Sequence, residues 1–227
     1  MTIAANIDKV NDRIEKVCSR TGRRRDEIIL MAVSKFRSAG DVEQAYSAGI
    51  HVFGESRVQE ACAKLEQFKN ERRDIALHLI GGLQRNKAKA ACNFFNCIQS
   101  VDREAIISEL VKQSALIEKP PTVMFELHTG EESKSGFSGL DALFNAVELS
   151  MTGGLRPDGL MTMAPNTDDE KPVRSSFRQL VSAQKELQKR FPSSESWACL
   201  SMGMSNDFEI AIEEGSTMLR IGSLIFG

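Results

Sequence analysis

Short apolar runs and helical stripes alternate along almost the whole chain. It opens with Ile3, Ile7, Val10, Ile14 and Val17, three or four residues apart, which predicts an amphipathic helix ending near Gly22, a natural C-cap. Apolar runs of four to seven residues follow: IILMAVS (28–34), IHVF (50–53), ALHLI (76–80), CIQSV (97–101), TVMFELH (122–128), DGLMTMA (158–164), WACLS (197–201) and MLRIG (218–222). Between them lie segments such as DVEQAYSAG, SRVQEACAKLEQF, REAIISELVKQSA and VRSSFRQLVSAQKELQKR, whose apolar positions keep the helical period. The runs are continuous rather than alternating, as in parallel strands covered on both faces. Eight strand–helix units in 227 residues predict one α/β domain, 1–227, folded as a single (β/α)8 TIM-type barrel with an extra N-terminal helix. An open doubly wound sheet is the alternative topology.

Charge and cysteine content remove several classes of function. The 29 basic and 31 acidic residues nearly cancel, so no global field draws the molecule to nucleic acid or an anionic membrane. The local run Arg20, Arg23, Arg24, Arg25 reads as a solvated loop. Five scattered cysteines without a CxxC pair indicate neither a disulfide framework nor a zinc site, and suit a reducing compartment. Asp8, Lys9 and Asp12 interrupt any apolar signal core, and no run is long enough to span a bilayer, so a cytoplasmic protein is expected.

In a barrel, sites collect at the carboxyl ends of the strands. Lys35 directly follows the first apolar run, where a low-dielectric floor would favour the neutral, nucleophilic amine of a Schiff-base lysine. Taken alone, a lysine past a strand is ordinarily a solvated one. The loops after the seventh and eighth strands sharpen the reading, because barrels often bind phosphate there. They carry Ser201-Met202-Gly203-Met204-Ser205 and Gly222-Ser223, and Ser205 or Asn206 is placed to cap the next helix. Arg220 lies inside the eighth run, where a permanent charge needs an acceptor: a carboxylate such as Glu55 or Glu126, or a ring nitrogen of a cofactor. An arginine beside a pyridine nitrogen keeps it unprotonated and makes the ring a poor electron sink.

With those residues in view, the chain resembles the pyridoxal phosphate homeostasis proteins, a group related to the barrel domain of alanine racemase and so to the fold-type III PLP-binding barrels. The motifs that carry the resemblance span nearly the whole chain: MAVSK (31–35), FGESRVQE (53–60), HLIGGLQRNK (78–87), EESKSG (131–136), GLMTMAP (159–165) and LSMGMSNDFEIAIEEGSTMLRIGSLIFG (200–227). The resemblance implies that Lys35 holds pyridoxal 5'-phosphate (PLP) as an aldimine. It places Arg220 by the pyridine nitrogen and makes Ser201, Gly203, Ser205, Gly222 and Ser223 the phosphate cradle. It also implies a monomer that supplies or buffers PLP, with PLP-dependent apoenzymes as recipients, and without catalytic turnover. Ser56 stands where asparagine is usual, Arg57 where an aromatic is common, Arg37 where lysine is frequent and His128 where asparagine is frequent. Many relatives continue past Phe226-Gly227 with a short basic tail, so no role of such a tail is expected.

Two enzymatic alternatives stay open. A PLP-dependent racemase or lyase needs a second base. The one tyrosine, Tyr46, is spaced with Val42 and Gly49 as a packing residue, while His51 lies in a strand run, and His78 and His128 lie near strand ends without any metal or triad motif. Lys134, in the loop after the fifth strand, is a candidate second amine. The other alternative is a barrel enzyme acting on a phosphorylated metabolite without PLP, Lys35 then condensing with the substrate itself. A protein-interaction scaffold without ligand is the weakest reading, given Lys35 and the two loops. No catalytic residue and no metal site are assigned.

Overall fold

The structure is a computed structural model and describes residues 1–130, 135–192 and 197–227. Its elements alternate as the apolar pattern predicts: helix α1 (Ile3–Thr21), β1 (Ile29–Val33), α2 (Ala39–Ser47), β2 (Val52–Glu55), α3 (Val58–Glu71), β3 (Ala76–Leu79), α4 (Ala88–Phe94) and β4 (Cys97–Val101). The second half continues with α5 (Glu104–Ser114), β5 (Thr122–Glu126), α6 (Leu140–Thr152), β6 (Arg156–Met161), α7 (Glu170–Arg190), β7 (Cys199–Ser201), α8 (Phe208–Glu213), β8 (Met218–Ile221) and α9 (Ser223–Phe226). All eight strands are parallel and close into a barrel, β8 returning to β1 with Met31 opposite Arg220. The open-sheet alternative is thereby excluded.

Helix α1 forms for the reasons its sequence contains. Thr2 Oγ1 accepts from the Ala5 amide at 3.2 Å, and Gly22 ends the helix in the left-handed region at φ 69°. Its buried stripe is Ile7, Val10, Ile14, Val17 and Cys18; Ile3, also read from the spacing, is only half-buried. It packs on α8 and α9 and is tied to them by polar contacts: Asn6 Nδ2 donates to Ile225 O at 3.0 Å, Arg13 pairs with Glu209 at 2.9 Å, and Arg20 pairs with Glu213.

The strand ends depart from the apolar runs everywhere but at β4, and three departures bear on particular residues. Strand β2 starts at Val52 rather than Ile50 and includes Glu55; His51 therefore lies outside it, exposed, with Nδ1 3.1 Å from Asp74 Oδ2. Strand β6 begins two residues early, at Arg156, and stops at Met161. Strand β7 is confined to Cys199–Ser201, because Trp197 adopts φ 80° and cannot lie in an extended ladder. Trp197 is instead fully buried against Phe125 and Phe191. No helix among the described residues is long and apolar enough to cross a membrane.

Candidate functional site

A cavity of about 740 Å³ opens at the carboxyl ends of the strands. Lys35, Ser205, Arg220, Gly222 and Ser223 all line it; Ser201 and Gly203 lie behind its wall. The structure thus brings five of the seven residues singled out from sequence around one space.

Lys35 sits in a turn after β1, closed by the Arg37 amide donating to Ser34 O at 3.0 Å. The turn lifts it off the barrel floor, so the residue is exposed at the cavity lip, not buried against an apolar floor as the sequence suggested. The next residue, Phe36, takes φ 62° and is 74% exposed, a conformation that a bulky side chain adopts only when its surroundings impose it. The turn is anchored from beneath. Buried Ser34 donates through Oγ to Glu55 Oε1 at 2.6 Å, and Lys64 Nζ bridges Glu55 Oε1 at 2.6 Å and Ser34 O at 2.8 Å. The sequence reading passed over Lys64. Its signal was a lysine on the buried stripe of α3, three residues after Ala61 and four before Phe68.

Arg220 is 4% exposed and stands on β8 facing the barrel interior. The carboxylate partners considered from sequence are not its partners. Glu55 is held by Lys64, Glu126 accepts from Ser135 Oγ at 2.7 Å, and among the described residues Arg220 makes no ion pair. Its Nη1 donates to Ser201 O at 2.7 Å and Ser201 Oγ at 2.8 Å, and its Nη2 to Thr162 O at 2.8 Å. Its Nε has no partner among the described residues. Burial pulls its pKa down to about 10, opposed by the nearby charges of Asp207 and Glu126, so the guanidinium is charged at neutral pH.

Behind Arg220 the hydrogen bonds run in one direction. Ser201 Oγ, accepting from Arg220, donates to Gln99 Oε1 at 2.7 Å, and Gln99 Nε2 lies 2.8 Å from His78 Nδ1. With both of its oxygen and nitrogen ends thus assigned, Gln99 donates to His78, whose Nδ1 is an acceptor and whose imidazole is neutral. Burial takes the His78 pKa down to about 4. Because the unfolded chain binds the extra proton below about pH 6.5 while the folded chain resists it, stability falls as pH drops from about 6.5 to about 4. The contribution lost is on the order of 3 kcal/mol. Denaturant titrations between pH 4 and 7 should show His78→Gln, which keeps an acceptor for Gln99, with a shallower pH slope than wild type. An unchanged slope would mean that His78 is not the group responsible.

The two glycine-serine loops are built differently from the expected helix cap. Asp207, not Ser205 or Asn206, is the N-cap of α8, and its Oδ1 turns back to accept from the Met204 amide at 2.5 Å. The amides of Asp207 and Phe208 donate to Met204 O. With the turn closed in this way, the Ser205 and Asn206 amides and the Ser205 hydroxyl have no acceptor among the described residues. The same holds at the start of α9, where Ile225 and Phe226 donate to Gly222 O and leave the Ser223 and Leu224 amides and the Ser223 hydroxyl unpaired. Gly203 carries this geometry at φ 97°, and its carbonyl accepts from the Arg220 amide at 2.9 Å. Buried Ser201 is committed to Arg220 and Gln99.

Neither His78 nor His128 lines the cavity, and Lys134 lies outside the described residues. Tyr46 packs edge-on against Phe68 and donates to Asp74 at 3.0 Å, away from the cavity. The sequence reading missed Asn166, Thr167 and Asp168, which line the cavity after β6, having inspected only Ala164 and Pro165 there. No group of three or more histidine, cysteine or acidic side chains able to hold a metal occurs among the described residues.

The family model described as "Alanine racemase, N-terminal domain" matches residues 5–227. A pyridoxal phosphate homeostasis protein of Vibrio cholerae is 37% identical over 230 residues, covering 100% of this chain and 96% of the relative. Among solved structures, PipY of Synechococcus elongatus with PLP bound superposes with a TM-score of 0.82 at 32% identity, over 95% of this chain and 100% of PipY. An unknown protein from Bifidobacterium adolescentis gives a TM-score of 0.92 at 28% identity, over 99% of this chain and 94% of that one. The chain therefore belongs to the alanine racemase N-terminal domain family, among its pyridoxal phosphate homeostasis proteins.

Proposed function

We propose that the cavity binds PLP, with Lys35 as its covalent anchor, and that the protein holds and releases the cofactor rather than turning over a substrate. One observation carries the reading. A single cavity gathers an accessible primary amine, a buried guanidinium, and two loops, and among the described residues the Arg220 Nε, the Ser205, Asn206, Ser223 and Leu224 amides and the Ser205 and Ser223 hydroxyls have no partner. These residues fit the cofactor's three poles, and about 740 Å³ is ample for it. When bound, PLP supplies an aldehyde that a primary amine captures and gives back. Ser205, Gly222 and Ser223 would hold the phosphate, with Ser201 and Gly203 shaping the cradle from behind. Lys35, raised on its turn, would reach the aldehyde, and the free edge of Arg220 would meet the ring nitrogen.

The absence of turnover is supported by Arg220. A cation at that position cannot give its proton to the ring nitrogen, which leaves the ring a weak electron sink and disfavours carbanion chemistry. The five cysteines are free, in keeping with a cytoplasmic site of action, and the recipients would be PLP-dependent apoenzymes met by a monomer. The test is to add PLP to purified protein, reduce with borohydride and map the modified peptide, then assay amino-acid racemisation and elimination. A visible absorption band, an adduct on Lys35 and no turnover support the carrier reading. Turnover with an amino acid would make the protein an enzyme, and no adduct at saturating PLP would remove the cofactor from the account.

A further inference from the structure

Beside the main cavity lies a second hollow of about 350 Å³, and the two share Ser56 and Gly82 as a common sill. The rest of its wall is mostly polar, with Arg57 at the start of α3 and Gln84 and Lys87 in the turn that precedes α4. Its one carboxylate, Glu60, is engaged by Arg57 Nη1 at 2.6 Å. Lys87 is half-buried, and its ammonium has no partner among the described residues; nor has the Gln84 side-chain amide. An ammonium lining a hollow without a counter-ion leaves the field there positive, and an anion settling beside it gains from that field. Arg57 adds a second positive charge, steadied by Glu60 and by its position 5.7 Å over the ring of Phe36, the residue after Lys35.

We propose that this hollow is a separate small-anion site. It takes the carboxylate or phosphate of a small metabolite between Arg57 and Lys87, the body of the molecule reaching over Ser56 and Gly82 towards Lys35. The site stands whatever fills the main cavity; only its orientation towards Lys35 rests on the PLP reading.

The experiment is a titration of the ¹⁵N-labelled full chain with succinate and, separately, inorganic phosphate, in wild type, Lys87→Gln and Lys35→Ala. Saturable shifts of the Arg57, Gln84 and Lys87 amides are expected, weakened about tenfold or more in Lys87→Gln and retained in Lys35→Ala. Unshifted resonances elsewhere in Lys87→Gln verify its fold. Shifts confined to Ser205 and Ser223, no saturable shift at all, or equal affinity in Lys87→Gln would each overturn the proposal. Whether PLP itself binds is read independently, from the visible spectrum on adding PLP.

Discussion

Lys35→Ala should lose covalent retention of PLP while keeping the fold. The side chain is exposed in a turn, and the bonds that hold that turn belong to Ser34, Glu55 and Lys64 rather than to Lys35. Truncation therefore removes an amine without opening a cavity in the core, and stability should change by less than about 0.5 kcal/mol, as for other surface substitutions. The two glycine-serine loops and Arg220 remain, so the variant should bind PLP weakly and reversibly. Loss of the covalent anchor should cost about 100-fold or more in apparent affinity, about 3 kcal/mol. Dialysis against buffer separates the two: wild type keeps its visible band and the variant does not. If Lys35→Ala retains PLP through dialysis and borohydride still fixes it, the anchor is a different lysine, and peptide mapping would identify it.

Gly203→Ala should destabilise the fold strongly. Two penalties fall on one methyl group. The backbone there has φ 97°, outside the range that side-chain-bearing residues adopt readily, and the new Cβ would lie 2.6 Å from Ala211 Cβ and 3.1 Å from the Phe208 Cα. The second neighbour is backbone and cannot rotate away. Strain and overpacking together should destabilise the fold by roughly 3 kcal/mol or more, measured as a shift in the denaturation midpoint. Relief of the clash would push α8 outward and move the Ser205 and Asn206 amides, so PLP affinity should fall with stability. A change within about 0.5 kcal/mol would mean that the loop is not as tightly determined as its contacts imply.

The fold was readable in the sequence because parallel barrel strands are buried on both faces and so appear as uninterrupted apolar runs. The ends of those runs were less readable. Ile50 is buried without belonging to a strand, and Trp197 packs into the core from a left-handed conformation, so apolar character at these two positions reports burial rather than extension. The site divided along similar lines. Lys35, Ser205, Gly222 and Ser223 follow strand ends and Arg220 lies one residue before the end of β8, where topology alone brings residues together. Lys64 and Gln99 were not found, because each acts across the fold, on Ser34 and Glu55 in one case and on Ser201 and His78 in the other. Such pairings depend on how strands and helices face each other, which local spacing does not encode. The Arg220 environment was misjudged for the same reason: its acceptors include two main-chain carbonyls, which every sequence contains at every position.

Helix α1 contributes nothing to the cavity wall, yet Asn6 and Arg13 fasten it to α9 and α8, the segments that begin immediately after the two loops with unpaired amides. The first turns of the chain thereby serve as a remote buttress for the end of the barrel that carries those loops. On the proposed reading, drawing those loops onto a phosphate would also tighten the seat of α1, and, by reciprocity, fraying of α1 would weaken the grip on the phosphate. Occupancy of the barrel would in this way be registered at a surface the ligand never touches.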